Sequence, residues 1–348
     1  MTIPQRESAA FEERASRGLA LAPSSLTHWG IGASFLAAAI LPLLAHNFLT
    51  FQLTMVMIYG LAILGLNLLT GFNGQFSLGH GAFYGIGAYT AAILMSEAHV
   101  PYYWTLPCAG ALCFVVGFLF GLPALRLSGL YLALATFALA AALPQILKFH
   151  PLEAWTGGSQ GIVISKPSAP PGLPIDVDQW LYYFTLFVLI LMVAAAANLV
   201  KSRSGRAMTA IRDHPIAAAA MGINTALYKT STFGLSALYT GVAGALGAIV
   251  VQFVAPDSFN FMLSVSFLVG LVVGGVGSIP GSLIGGLFVL FAPDIAESVS
   301  TGLSGTVYGG LMLLVIFVMP SGAAGFFRVL FARILRSREK ALNEGGSR

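Results

Sequence analysis

The sequence predicts an all-α fold, a polytopic bundle of about ten transmembrane helices. Three observations lead there. Of the 348 residues, 57% are hydrophobic and only 9% charged, against about 25% charged in an average soluble domain. So few charges cannot coat a globule of this size, so lipid must be the solvent for most of the chain. The apolar residues fall in runs near the length that spans a bilayer. Most of the basic residues gather in two places.

The elements follow in order. Met1 to His28 mixes Arg6, Arg14 and Arg17 with Glu7, Glu12 and Glu13. It lacks the positive start, short apolar stretch and small-residue cleavage site of a secretory signal, and reads as a cytoplasmic tail (1–28). A transmembrane domain is expected over 29–322 and a basic cytoplasmic tail over 323–348. Spans are expected near Ile31–Phe48, Phe51–Leu69, Gly81–Met95, Tyr103–Leu125, Leu130–Leu147, Trp180–Val200, Thr232–Val254, Met262–Val276, Leu283–Ala292 and Val307–Met319. The third, eighth and ninth are short or interrupted by glycine. Abundant glycine (40 residues) fits helices that approach closely in lipid.

Charge sets the orientation. Between Val200 and Thr232 stand Lys201, Arg203, Arg206, Arg212 and Lys229 against one acid, Asp213. After the last span come Arg328, Arg333, Arg336, Arg338 and Lys340. The positive-inside rule makes both regions cytoplasmic, and an even count of spans then puts both termini inside. Glu97, Asp257, Asp294, Glu297 and the linker His150–Asp178 fall outside. That linker carries five prolines and four glycines, and is expected to be too broken for a helix. It divides the chain into two halves of five spans, which an odd number per half would make an inverted repeat.

The spans hold essentially no Asp, Glu, Lys or Arg away from their ends. Proton-coupled pumps carry an intramembrane acid or His relay, and His80 is the one candidate, without a carboxylate near it in sequence. No voltage-sensing Arg series and no P-loop appear. Energy for active transport must therefore come from a partner or from a cation on backbone carbonyls. No Lys/Arg stripe with interleaved aromatics suggests a nucleic-acid partner. Cys108 and Cys113 share one apolar run and read as packing residues, with no metal spacing, and no cofactor is expected. Gly302-Leu303-Ser304-Gly305 superficially resembles an intramembrane serine protease site. It reads better as a polar turn at a helix start, because no His in a neighbouring late span could act as base.

Two stretches carry the functional expectation. Gly71-Phe72-Asn73-Gly74-Gln75-Phe76-Ser77-Leu78-Gly79-His80-Gly81 joins two apolar runs without a charge. Irregular backbone at membrane depth is tolerated where it lines a cavity or is buried in protein. Asn73, Gly74, Gln75, Ser77, Gly79 and His80 are therefore candidates for a substrate path. The alternative is a plain cytoplasmic turn leading into a helix packed on Gly81, Gly85 and Gly87. The second stretch lies in the cytoplasmic loop 201–229. Pro215 suits a helix start, Ala217 to Ala220 favour helix, and Gly222 suits the left-handed stop. Such a short helix is unstable alone and needs a groove to sit in. The alternative is a helix resting on lipid headgroups.

The chain then resembles a known family. Thr70-Gly71-Phe72-Asn73-Gly74-Gln75-Phe76-Ser77-Leu78-Gly79-His80-Gly81-Ala82-Phe83 resembles the LivM-type permease of branched-chain amino-acid ABC importers. So do Gly121 to Leu127, Leu130 to Thr136, Thr156 to Gly161, Gly205 to Asn224 and Gly274 to Gly281. The similarity runs from about Phe51 to Met319. It implies a permease that is not itself an enzyme, set in a bacterial inner membrane. The implied partners are two ATP-binding subunits, a second permease of LivH type and an extracytoplasmic binding protein. It also implies alternating access driven by ATP, with the binding protein doing most of the substrate selection. Gly205, Arg206, Ile211, Arg212, Pro215, Ala219, Met221 and Gly222 fall in what looks like its ATPase-coupling loop. Ile216 stands where the E-A-A-x-x-x-G form of that loop has Glu. Relatives in the family move urea, amides or aromatic acids. A self-sufficient secondary transporter of small polar solutes is the alternative.

Overall fold

The computed structural model describes residues 41–42, 47–127, 129–168, 175–299, 303–319 and 322–326. The N-terminal tail, most of the first expected span, Pro170, Pro171 and Pro174 of the linker, Gly302 and nearly all of the C-terminal tail lie outside them.

The described chain is helical. Apolar helices run over Asn47–Asn67 (α1), His80–Ser96 (α2), Tyr102–Ala124 (α3), Leu130–Leu147 (α4) and Val177–Lys201 (α5). Two polar-loop helices follow, Arg203–Asp213 (α6) and Pro215–Ala220 (α7). The chain continues through Thr225–Val251 (α8), Phe261–Gly274 (α9), Ile279–Val299 (α10) and Ser304–Val318 (α11). Among the described residues, six helices are long and apolar enough to cross a membrane: α1 with its extension to Phe72, α3, α4, α5, α8 and α10. α2, with 17 residues, and α9, with 14, are shorter.

α1 and α8 are buried over most of their length, whereas α3, α4, α5 and α10 leave broad apolar faces exposed. A helix apolar all round belongs in a core, and one with a single buried stripe belongs at the rim facing lipid. α8 packs against α1, α2 and α3. Small residues make that closeness possible. A Cβ on Gly87 of α2 would overlap the Gly241 carbonyl of α8. In lipid, where oil surrounds oil, van der Waals contact of this kind replaces the hydrophobic drive.

The connections separate into two groups at opposite ends of α8, whose 27 residues extend about 40 Å. Near Val251, strand β1 (Ile162–Val163) pairs antiparallel with β2 (Phe253–Val254). Lys148 Nζ bonds Asp257 Oδ1 at 2.6 Å in the same region. Near Thr225, the backbone of Lys229 meets Gln75, and the α6–α7 loop lies alongside.

Several expectations change. The His150–Asp178 linker is not wholly irregular: 3-10 turns form at His150–Leu152 and Gly158–Gln160, with one α-turn at Glu153–Thr156. Pro151 is compatible because the first positions of a helical turn need no N–H. The expected span at Thr232–Val254 starts earlier and ends earlier. Asn224 caps it by accepting the Leu227 N–H at 3.0 Å, and Gln252 takes a left-handed conformation that stops it. Lys229 is thus inside α8 rather than in the loop. The short run at Leu283–Ala292 belongs to a 21-residue helix, because Pro280 sits in its first turn, where no N–H is required. α5 opens with a capping box between Asp176 and Gln179.

Candidate functional site

α1 does not end cleanly. It widens into a π-helical turn over Leu68–Phe72, a feature that often marks functional sites. The chain then leaves the helix, turns at Asn73–Gly74, where Gly74 has φ +74°, and runs irregularly to Gly79 before α2 begins. Burial alternates along it: Asn73, Gln75 and Ser77 are buried while Gly74 and Phe76 are exposed. The alternation follows the turn at Asn73–Gly74 and is not that of a regular strand. Here it turns the polar side chains inward and the Phe76 ring outward, the reverse of an ordinary surface strand.

Each inward side chain meets a defined surrounding. Gln75 Nε2 donates to Lys229 O at 3.1 Å, tying the segment to α8. Ser77 Oγ accepts the Gly79 N–H at 3.2 Å and lies 3.1 Å from His80 Nδ1. His80 Nε2 lies 2.6 Å from Ser236 Oγ, and the Ser236 hydroxyl donates to Gly65 O at 2.6 Å. Ser236 has one proton and gives it to Gly65, so His80 Nε2 must be the donor toward Ser236. Nδ1 then accepts from the Ser77 hydroxyl. The chain of bonds fixes one tautomer and fastens α1, the break and α8 together. The neighbours of His80 here are hydroxyls, not carboxylates. Gly79 N-caps α2, and Leu78 N–H donates to Thr136 Oγ1 of α4 at 2.9 Å. Gly81 N–H donates to Ser264 Oγ of α9 at 2.8 Å.

Asn73 differs. It is 2% exposed, and neither its Oδ1 nor its Nδ2 has a partner among the described residues. A buried amide left unpaired costs about 1–3 kcal/mol.

A second interruption lies between α9 and α10, at Gly275–Ser278. Asn67, fully buried in the last turn of α1, reaches into it. Its Oδ1 accepts the Gly277 N–H at 2.8 Å. Its Nδ2 donates to Ser278 O at 2.8 Å and Ser282 Oγ at 3.0 Å.

The loop 201–229 forms two helices where the sequence suggests one. Ser202 caps α6 by accepting the Ser204 and Gly205 N–H groups. Gly205 packs where a Cβ would overlap the Val200 carbonyl. Met208 and Ile211 are buried, whereas Arg206 is exposed, its Nη1 donating to Lys201 O at 3.1 Å. α7 starts at Pro215 and stops at Gly222, which has φ +83°. Ala218 is its buried contact, Ala219 is exposed, and Ile216 and Met221 are 86% and 83% exposed. Both side chains stand open to contact on the surface of the loop.

Sequence reasoning missed Asn67, Thr136, Ser236, Ser264, Ser278 and Ser282. Their common signal is a lone amide or hydroxyl inside or beside an apolar run, which in lipid seeks an interhelical partner. It also missed α6, whose polar, basic surface resembles a plain loop until Ala207, Met208 and Ile211 are placed on one side.

The chain is similar to known proteins over most of its length. Residues 48–316 match the family described as branched-chain amino acid transport system / permease component. The LivM high-affinity branched-chain amino acid transport permease of Salmonella typhimurium is 33% identical over 293 residues, 77% of this chain and 68% of that protein. The Escherichia coli LivM permease is 33% identical over 292 residues, with the same coverage. The Escherichia coli LivH permease is 28% identical over 287 residues, covering 77% of this chain and 91% of LivH. No solved structure matches.

Proposed function

This chain belongs to the branched-chain amino acid transport permease family, and from that premise we propose that it is the membrane-spanning subunit of an ATP-driven importer of branched-chain or similar amino acids. Two separate ATPase subunits bind the α6–α7 loop, a second LivH-type permease completes the pathway, and a binding protein delivers substrate from outside. The chain crosses the inner membrane ten times with both termini in the cytoplasm. The expected span at Ile31–Phe48 joins the apolar helices described above, and the basic residues of the α6–α7 loop support this orientation. The two halves form an inverted repeat.

One observation carries the reading: α7 holds Ile216 and Met221 out in the open on six residues that cannot be stable unaided. A partner groove answers both the exposure and the instability. The hydroxyl surroundings of His80 also speak against a proton relay, which would need an acid. In this proposal the substrate path passes the break at Asn73–His80. Access there alternates as the ATPases close and reopen. The unpaired Asn73 amide is a group able to receive a polar part of a passing solute.

The test is co-purification from native membranes in mild detergent. Wild type is expected to bring down ATPase subunits and a second permease. Ile216→Glu with Met221→Glu is expected to lose the ATPases while keeping the second permease. Uptake that survives ATP depletion but collapses with a proton ionophore would instead identify a self-sufficient secondary transporter and overturn the reading.

A further inference from the structure

Arg212 closes α6, two residues before the hinge at His214 that leads into α7. Its side chain turns back toward the bundle. Nη1 donates to Gly71 O at 2.8 Å, in the π-turn that begins the first interruption. Its Cγ lies 2.8 Å from where a Cβ on Gly74 would stand, so the stem rests on that turn. The same Nη1 lies 3.9 Å from the corresponding point on Gly277, in the second interruption. Nε donates to Asp213 Oδ1 at 2.9 Å. Asn67 closes the arrangement from within by bonding Gly277 and Ser278. A Cβ on Gly71 would overlap the Asn67 amide oxygen. The partner-facing loop and both interruptions therefore meet at one point.

The mechanical consequence follows from where helices yield. An intact helix resists bending because each turn is bonded to the next, and kinks occur where that ladder is broken. A displacement of α7 delivered to the middle of α8 would be shared along a rigid rod. Delivered to Gly71–Gly74 and Gly277, it meets backbone where the regular α-helical ladder has given way to π and turn bonds. Arginine suits the task better than lysine. Its planar fork lets Asp213 hold Nε and so aim Nη1, whereas an ammonium has no fixed fork.

Building on the importer reading, we infer that Arg212 is a positioning residue of transport, a strut that carries movement of α7 to both helix interruptions so that they shift together. Its removal uncouples ATP hydrolysis from movement of solute.

The experiment uses the full importer complex in proteoliposomes, with its binding protein, ATP and radiolabelled leucine. Uptake and hydrolysis are measured together and expressed as leucine moved per ATP. Arg212→Ala is expected to lower that ratio at least tenfold, with Arg212→Lys restoring part of it. Asp213→Ala, a change at an exposed carboxylate, is expected to lower it in the same direction by a smaller factor. This second variant keeps the test open if Arg212→Ala fails to assemble. An unchanged ratio in assembled variants, including one in which hydrolysis and uptake fall in proportion, would overturn the strut. Wild type that hydrolyses ATP without moving leucine or any other amino acid would instead remove the importer reading on which the strut depends.

Discussion

Two buried asparagines, six positions apart, are expected to respond oppositely to the same substitution. Asn67 is fully buried and makes three hydrogen bonds, to Gly277 N–H, Ser278 O and Ser282 Oγ, at 2.8, 2.8 and 3.0 Å. Each interhelical bond is worth about 0.6 kcal/mol in a membrane protein and about 1 kcal/mol on general mutational scales. Asn67→Ala is therefore expected to destabilise the fold by about 2–3 kcal/mol, since it also strands the Gly277 N–H at the second interruption. Asn73 is nearly as deeply buried, but its side chain bonds to nothing described. Removing an unpaired amide relieves a desolvation cost of about 1–3 kcal/mol, offset by the packing lost. Asn73→Ala is expected to be neutral or to stabilise by about 1 kcal/mol while lowering uptake, the usual trade of stability against activity. The assay is equilibrium unfolding of the purified permease in mixed micelles with increasing denaturing detergent, alongside uptake in reconstituted vesicles. The reasoning fails if Asn67→Ala unfolds within about 0.5 kcal/mol of wild type, a change as small as a typical surface substitution. It also fails if Asn73→Ala destabilises the protein as much as Asn67→Ala does.

Three further outcomes follow from the same geometry. Ser236→Ala leaves the His80 Nε2–H and the Gly65 carbonyl without their partner, and is expected to cost about 1–3 kcal/mol in the same unfolding assay. Gly74→Ala puts a Cβ on a residue with φ +74° and against the Arg212 stem. A cost of about 1–2 kcal/mol is expected from the backbone alone, read as a lower midpoint of unfolding. Gly87→Ala drives a methyl into the Gly241 carbonyl. Overpacking of that kind costs about 1–3 kcal/mol, and thermal unfolding in detergent is expected to shift down, more than for alanine at the open Gly309 of α11.

The membrane class was legible because it rests on composition and run length, which need no tertiary contact. A chain with 9% charge has no other solvent available to it, and apolar runs such as Leu130–Leu147 become helices of the same bounds because a segment in lipid must satisfy its own backbone. The turn chemistry of α7 was equally local: Pro215 starts it and Gly222, at positive φ, ends it. The family resemblance rested on ordered motifs and needed no geometry.

What the sequence alone left open depended on distance along the chain. Gly71, Asn73 and His80 formed one polar stretch in the sequence, yet they have three different surroundings. Gly71 meets Arg212 from 141 positions away, His80 meets Ser236 from 156 positions away, and the Asn73 side chain meets no partner among the described residues. A polar residue in an apolar run announces that it needs a partner, because lipid supplies none. Which partner it finds depends on how the helices pack, and packing here follows glycines such as Gly87 and Gly241 that admit one backbone against another. Local chemistry thus determined that the chain is apolar and helical, and where elements such as α4 and α7 start and stop. Only the tertiary structure decided that Asn67 and Arg212 would meet at the two interruptions, because the groups they bond are brought together by helices that the sequence keeps far apart.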